Sequence, residues 1–174
     1  MDGLQLTPLG PQHLPGLREI VRDADVQRFT RIPVPTPAGW IDTWLAFYEH
    51  GRKVGSREAF AIEDPAGGFL GLAFAVHIDD EEATSELGYV VAPAARGRGV
   101  ASRALTELTA WVFAERGMHR AELRISVANE ASKRVAERSG YVREGVLRSM
   151  HVKPGVRDDL ELWSRLATDP PPAG

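Results

Sequence analysis

The sequence predicts a mixed α/β fold: a central, mostly antiparallel sheet of about seven strands with helices on both faces. Three observations lead there. The chain has 174 residues, 43% apolar and 26% charged, the size and composition of one globular domain. Strand-like segments alternate with helix-period segments in the order β-α-α-β-β-β-α-β-α-β-β, which lays helices on a mixed sheet. Two strand pairs are joined by short Pro/Gly turns, Asp64-Pro65-Ala66-Gly67-Gly68 and Lys153-Pro154-Gly155, which reads as hairpins.

Leu4-Gln5-Leu6-Thr7-Pro8-Leu9 alternates apolar and polar residues, the period of a strand. Leu14, Leu17, Ile20 and Val21 recur at helical spacing, and Pro33, Pro35 and Pro37 break the chain into a loop. Trp40, Ile41, Trp44, Leu45, Phe47 and Tyr48 predict a second helix with a broad aromatic face, ended by Gly51 and Gly55. Residues 58–63 and the nearly continuous apolar run 69–78 pair as a hairpin, the second strand buried. Asp79-Asp80-Glu81-Glu82 is a solvated turn before a strand over 85–92. Residues 100–115 carry Leu105, Leu108, Val112 and Phe113 on one side of a long helix. Leu123, Ile125 and Val127 mark a strand over 121–128. A short helix over 131–139 stops at Gly140, and 141–152 and 156–166 are the last strands.

Lys+Arg 21 against Asp+Glu 24 gives a net charge of −3, without the basic excess of a nucleic-acid binder. The absence of cysteine excludes a disulfide scaffold, thiolate metal sites and a cysteine nucleophile. No apolar run approaches the ~18 residues of a membrane span. Met1-Asp2-Gly3-Leu4 lacks the basic and apolar regions of a signal peptide. The expectation is a cytoplasmic chain with no metal and no nucleic-acid or membrane partner. A single domain occupies 1–168, and a disordered, Pro-rich tail occupies 169–174.

The stretch Val90 to Ala101 ends a strand, turns through a glycine-rich loop and opens the long helix. The first N–H groups of a helix lack internal acceptors and sit at the positive end of its dipole. Gly97 and Gly99 let an anion approach the backbone, and Arg96 and Arg98 add charge. These parts suit a phosphate or pyrophosphate; a plain basic helix cap is the competing reading. The P-loop pattern Gly-x-x-x-x-Gly-Lys-Ser/Thr is absent, and the dinucleotide pattern begun by Gly97 and Gly99 fails at Ser102. The spacing that matches is Gln/Arg-x-x-Gly-x-Gly/Ala, met by Arg96, Gly99 and Ala101. Further on, a strand ends at Asn129, a good cap for the next helix, with Ser132 one turn in.

Together these stretches resemble the GNAT superfamily of acyl-CoA-dependent N-acetyltransferases. They look most like its RimJ/RimL-like branch, the ribosomal-protein-alanine N-acetyltransferases. The residues that carry the resemblance are Glu86-Leu87-Gly88-Tyr89, the Arg96-to-Ala101 loop, Asn129-Glu130-Ala131-Ser132, Gly140-Tyr141 with Glu144-Gly145, and Arg157-Asp158. The match is densest from Glu86 to Leu162; residues 1–85 match more loosely, through Arg28-Phe29 and Trp44-Leu45.

The resemblance implies acetyl-CoA as co-substrate. It lays the pyrophosphate on Arg96, Gly97, Arg98, Gly99, Val100 and Ala101. It lays the pantetheine arm along Tyr89, Val90 and Val91, where the fourth and fifth strands splay apart. Asn129 matches the residue that hydrogen-bonds the pantetheine, and Ser132 lies near the sulfur. Many relatives carry a tyrosine seven residues after the asparagine, able to protonate the leaving thiolate. Here that position is Ala136, and Ser132 is the implied assistant.

An amine acceptor must lose a proton before it attacks a thioester. His151, Glu86 and Asp158 are the candidates to take or steer that proton. His151 stands where the resembled branch can carry a glutamate; its plain alternative is a surface histidine beside the 153–155 turn. Glu86 lies on the fourth strand and could instead pair with an arginine. Asp158 would order the Arg157 region or orient the acceptor, and Arg124 occupies a place where some relatives keep a glutamate. A backbone N–H near Val91 is the expected oxyanion donor. The acceptor side falls to Phe29, Arg31, Ile32, Trp40 and Asp158, with Trp44, Tyr48 and the last hairpin nearby.

The expected function is direct acetyl transfer from acetyl-CoA to a primary amine in a ternary complex. That amine is a protein or peptide N-terminus or a small molecule. A larger acyl donor, an antibiotic or amino-acid acceptor, a non-catalytic acyl-CoA-binding module and a homodimer stay open.

Overall fold

Along β2 (Glu58–Glu63) consecutive residues are buried because both faces of the strand are covered. Ala59 and Ala61 belong to one apolar layer; Phe60 and Ile62 belong to the other. The same division runs through the whole computed structural model, which describes residues 3–153 and 155–172. Its seven strands form one sheet in the order β1-β2-β3-β4-β5-β7-β6. The others are β1 (Gln5–Pro8), β3 (Phe69–Asp79), β4 (Thr84–Val91), β5 (Arg120–Ser126), β6 (Val142–Lys153) and β7 (Val156–Leu166). All neighbours are antiparallel except β4 and β5, which run parallel.

The helices are α1 (Leu14–Ile20), α2 (Ala24–Phe29), α3 (Trp40–Val54), α4 (Val100–Ala114) and α5 (Glu130–Arg138). Leu105, Leu108 and Val112 of α4 are fully buried against Ala73, Leu87, Leu123 and Trp163. Each such side chain contributes ~1.5–3 kcal/mol of burial. On the opposite face, Leu17, Ile20, Val26 and Tyr48 from α1, α2 and α3 cover Ala59, Ala61 and Leu72.

The mixed, mostly antiparallel sheet of seven strands agrees with the sequence expectation, and most boundaries fall within a residue or two. The N-terminal third departs from it. A further helix, α2, stands between the two expected ones. Asp23 caps it by accepting the Val26 N–H at 2.9 Å, but only Val26 is buried among its six residues, so no apolar period announces it. Gly51 does not end α3. It sits inside the helix because Arg57 packs against its bare Cα, and the stop comes at Gly55, where φ is +78°.

Just after β7 the first residues of the tail are tied back to the strand. The Asp169 carboxylate accepts the Leu166 N–H at 2.8 Å, and Arg165 donates to the Pro170 carbonyl at 3.3 Å. The tip of the β6–β7 turn at 154 and residues 173–174 lie outside the described residues.

Candidate active site

β4 and β5 are paired through Thr84 and Arg120, Ser85 and Ala121, Glu86 and Glu122, and then diverge. β4 continues to Val91 and β5 to Ser126 without further rungs between them. This is the expected splay. It opens toward the carboxyl ends of the parallel strands, and α4 and α5 both start there, each following one of these strands. The carboxyl ends of parallel strands are where α/β sheets receive ligands. Ala92 donates its N–H to Leu70 of the β3 side. By strand alternation, the main-chain groups of Tyr89 and Val91 therefore face the gap.

The loop before α4 holds both glycines at φ +73°. A Cβ at either would meet nothing within 4 Å, so glycine is required there by backbone conformation rather than by packing. Gly99 is the N-cap of α4 and no side chain caps this end. The first intrahelical bond runs from Arg103 N–H to Gly99 C=O at 3.2 Å. The N–H groups of Gly99, Val100, Ala101 and Ser102 thus have no acceptor within the helix.

Arg96 is not turned outward as a ready anion contact. Its guanidinium reaches back to Asp23 at 2.6 Å and Asp25 at 3.3 Å, and its Nε donates to the Val91 carbonyl at 3.3 Å. The Arg96 guanidinium holds the Asp23 carboxyl below its usual value, over the opposing effect of burial. The loop is in effect pinned to the start of α2. Arg98 is exposed, and its carbonyl accepts from Arg103.

Asn129 caps α5 by accepting the Ser132 N–H at 3.1 Å. The Ser132 carbonyl in turn receives the Tyr89 hydroxyl at 3.4 Å, from across the splay. Burial pushes the Tyr89 phenol up to about 12. Behind it, the Tyr141 and Thr109 hydroxyls meet at 2.7 Å and tie β6's entry to α4. Further along α5, Lys133 reaches the buried carboxylate of Glu161 at 3.3 Å. Burial alone would raise Glu161, but hydrogen bonds from Lys133, Trp163 and Arg143 bring it below its usual value.

Glu86 lies 3.3 Å from Arg124, the ion pair that was its plain alternative. His151 is not at the surface. It is 6% exposed and stands opposite Asp158 in the β6–β7 hairpin. The register between Leu147 and His151 is irregular, Ser149 has φ +55°, and its N–H donates to Asp159 Oδ1 at 2.7 Å. Such an irregularity re-aims the side chains that follow. Since Leu160 is the partner of Ser126, the His151–Asp158 pair lies past the open end of β5.

On the α1–α3 face, Phe29 is half-buried under the Arg28 guanidinium at 4.9 Å, Ile32 is buried, and Arg31 is exposed. Trp40 stacks with Trp44 at 6.3 Å, and Trp44 contacts Tyr48 at 4.6 Å. Burial pushes the Tyr48 phenol up to about 12. A cleft of about 200 Å³ lies between Trp40, Ile41, Asp42, Leu14, Arg18 and Thr36. A larger one, about 450 Å³, lies between β1 and the later turns of α4, beside Leu4, Phe60 and Trp111. The acidic 79–82 turn sits at the closed end of β4, where Asp79 accepts two of its own turn's N–H groups and Asp80 pairs with Arg116.

The splay therefore gathers Tyr89, Val91, the 96–101 loop, Asn129 and Ser132. Two relations escaped the sequence: the tie between Arg96 and α2, and the reach of Tyr89 to α5. Neither has a local signal, because each partner is remote in the chain. Among the described residues no group of His, Asp and Glu could hold a metal ion, and no helix is long and apolar enough to cross a membrane.

Comparison with known proteins bears on the family and the fold. Residues 4–142 match the acetyltransferase (GNAT) domain family. The Bacillus subtilis (strain 168) protein YdaF is 30% identical over 100 residues, 58% of this chain and 55% of that protein. The Escherichia coli (strain K12) ribosomal-protein-serine acetyltransferase is 30% identical over 83 residues, 48% of this chain and 46% of that protein. The chain thus spans about half the length of the curated relatives it matches. Among solved structures, RimL, a ribosomal L7/L12 alpha-N-protein acetyltransferase in complex with coenzyme A, superposes with TM-score 0.85 at 21% identity over 95% of both chains. The Vibrio cholerae spermidine N-acetyltransferase in complex with CoA and spermine gives 0.83 at 20% identity over 95% of this chain and 96% of that one. These structures share the fold, and with the match over residues 4–142 the chain belongs to the GNAT acetyltransferase family.

Proposed function

We propose that the protein is an acetyl-CoA-dependent N-acetyltransferase that moves acetyl directly to a primary amine in a ternary complex. The observation that carries this is the β4–β5 splay with two helix N-termini at its mouth, one of them uncapped by any side chain. An acyl-CoA fits these residues. Its pyrophosphate suits the N–H groups of residues 99–102, next to a loop with open space above Gly97 and Gly99. Its amide-bearing arm suits the main-chain edge of Tyr89 and Val91, with Asn129 opposite. When bound it supplies an acetyl thioester. Arg98 is the outward basic group of the loop; Arg96 must first leave Asp23 to join it.

In this reading the acceptor enters between the α2–α3 loop and the β6–β7 hairpin, past Phe29, Arg31, Ile32 and Trp40. His151 takes the ammonium proton, and Asp158, opposite it, steers the acceptor. Glu86 is less suited as the base because Arg124 already engages its carboxylate. The Val91 N–H, facing the gap, donates a hydrogen bond to the developing oxyanion. Ser132 lies on the sulfur side. Relatives are named for ribosomal-protein and spermidine acetylation, so both a peptide N-terminus and a polyamine are acceptor candidates. A cytoplasmic location and a homodimer accompany the reading.

The test is free-thiol release from acetyl-CoA against peptide N-termini, polyamines, amino acids and aminoglycosides, with wild type and His151→Ala. Turnover with one acceptor class, reduced at least ~100-fold in the variant, is expected of a general base. Turnover unchanged in the variant moves the base elsewhere. Acetyl-CoA binding with no turnover of any amine would make the protein a binding module instead.

A further inference from the structure

One side chain crosses the splay. Tyr89 leaves β4 on the face shared with Leu87 and packs against the core layer that contains Ala136 of α5. Ala136 is fully buried and offers only a methyl group, so α5 presents no hydroxyl of its own at that position. The hydroxyl ends at the first turn of α5, 3.4 Å from the Ser132 carbonyl. That distance is at the long limit of a hydrogen bond. Helical geometry also gives the same carbonyl the N–H of residue 136. The O–H therefore gives up little by turning to a better acceptor. The other hydroxyls of β4 do not compete: Thr84 and Ser85 are at its closed end, and Ser85 donates to the His77 carbonyl.

We propose that the Tyr89 hydroxyl donates a hydrogen bond to the sulfur that leaves when acetyl is transferred. The inference rests on the acyl-CoA reading and adds a residue to it. The amine nitrogen forms its bond to the carbonyl carbon, the C–S bond breaks, and the electron pair of that bond stays on sulfur. Tyr89 shares its proton with the sulfur and keeps it. Its phenol, pushed up to about 12 by burial, is a weaker acid than a thiol near ~8.5. The proton that completes the thiol is the one lost by the acceptor nitrogen, passed on through the base or water. The other ionisable groups around the gap are already engaged. Lys133 is held by Glu130 and Glu161, Arg124 faces Glu86, and Tyr141 is bonded to Thr109.

Bound CoA reports this without any acceptor. Thiolate absorbance of CoA is titrated against pH on wild type and on Tyr89→Phe, which keeps the ring. Loss of one charge-assisted hydrogen bond raises the apparent thiol pKa by about one to two pH units in the variant. The kcat for acetyl transfer falls about 10- to 100-fold, with KM for acetyl-CoA within about 2-fold. The same thiol pKa in both proteins overturns the proposal. So does a variant that loses CoA affinity while its bound thiol titrates as in wild type, because Tyr89 is then a prop for α5. A pKa difference with no turnover of any amine by wild type keeps the donor and removes the transferase reading. Turnover without a pKa difference does the reverse.

Discussion

Replacing Asp23 with asparagine separates two jobs that one carboxylate performs. Its Oδ1 accepts the Val26 N–H at 2.9 Å, capping α2, and the Arg96 guanidinium at 2.6 Å, pinning the loop before α4. Asparagine caps a helix about as well as aspartate, so the cap survives and the ion pair is lost. The Asp23 side chain is 17% exposed and that of Arg96 35%. Solvent at Arg96 screens the pair, which places its worth at about 1 kcal/mol rather than the larger value of a buried one. In a chain of this size that lowers Tm by about 2–4 °C. Because the folded-state pKa of Asp23 is depressed, this stability is complete above the ordinary carboxylate range and is lost as pH falls through the lowered value. Wild type and Asp23→Asn therefore converge in stability in acid. Asp25 still holds the guanidinium at 3.3 Å, but loss of the Asp23 charge makes the surroundings of the proposed phosphate site more positive by one unit. CoA binding, measured by titration calorimetry, tightens about two- to five-fold, an effect of up to about 1 kcal/mol. The gain shrinks as salt rises, since the charge is exposed. Binding weakened more than about three-fold would refute the reasoning. It would mean that the clamp shapes the loop for its ligand instead of withholding a charge from it.

Gly99→Ala forces a Cβ onto φ +73° with nothing nearby to clash. The cost is purely conformational, about 1–2 kcal/mol in urea unfolding, and CoA binding weakens as the α4 N–H groups re-aim. Thr109→Val leaves the buried Tyr141 hydroxyl without its 2.7 Å partner and lowers stability by about 1–3 kcal/mol, with CoA affinity little changed. Glu144 accepts from Arg120 at 2.7 Å and from Ser164 at 2.6 Å, which hold its carboxyl down at about 2. Its side chain is 38% exposed, so Glu144→Gln costs at most about 1 kcal/mol near neutral pH. The difference fades as pH falls from the ordinary carboxylate range toward that depressed value, which denaturant titrations in acid will follow.

Side chains that act on their own stretch of chain were legible. Leu123 and Ile125 alternate as a strand must, Leu105, Leu108 and Val112 keep helical spacing, and Asn129 announces a cap that the structure contains. Gly97 and Gly99 read as a turn because a positive φ is a local demand. What stayed hidden depends on chain that is distant in sequence. Arg96 reads as a free cation until the fold brings up Asp23 and Asp25, 73 and 71 residues away. His151 reads as a candidate base, but the Pro/Gly turn beside it leaves a surface position equally open. The irregular register near Ser149 instead leaves it buried. Tyr89 enters the sequence reading only as part of the strand along the pantetheine arm, since nothing near it in the chain shows that its hydroxyl will reach α5, 43 residues on.

Only three rungs join β4 to β5. The sheet is therefore two half-sheets with a short main-chain seam, closed at its base by the Ala83 carbonyl, which accepts the N–H groups of His119 and Arg120. A guest lying along the open part of that seam is structural mortar as much as a reactant. At a hundred times its Kd it would add ~2.7 kcal/mol to the folded state, comparable to one well-buried core side chain. The lifetime of the protein against proteases would then follow acyl-CoA supply. A cell short of the donor would lose the catalyst by degradation as well as its turnover by substrate starvation.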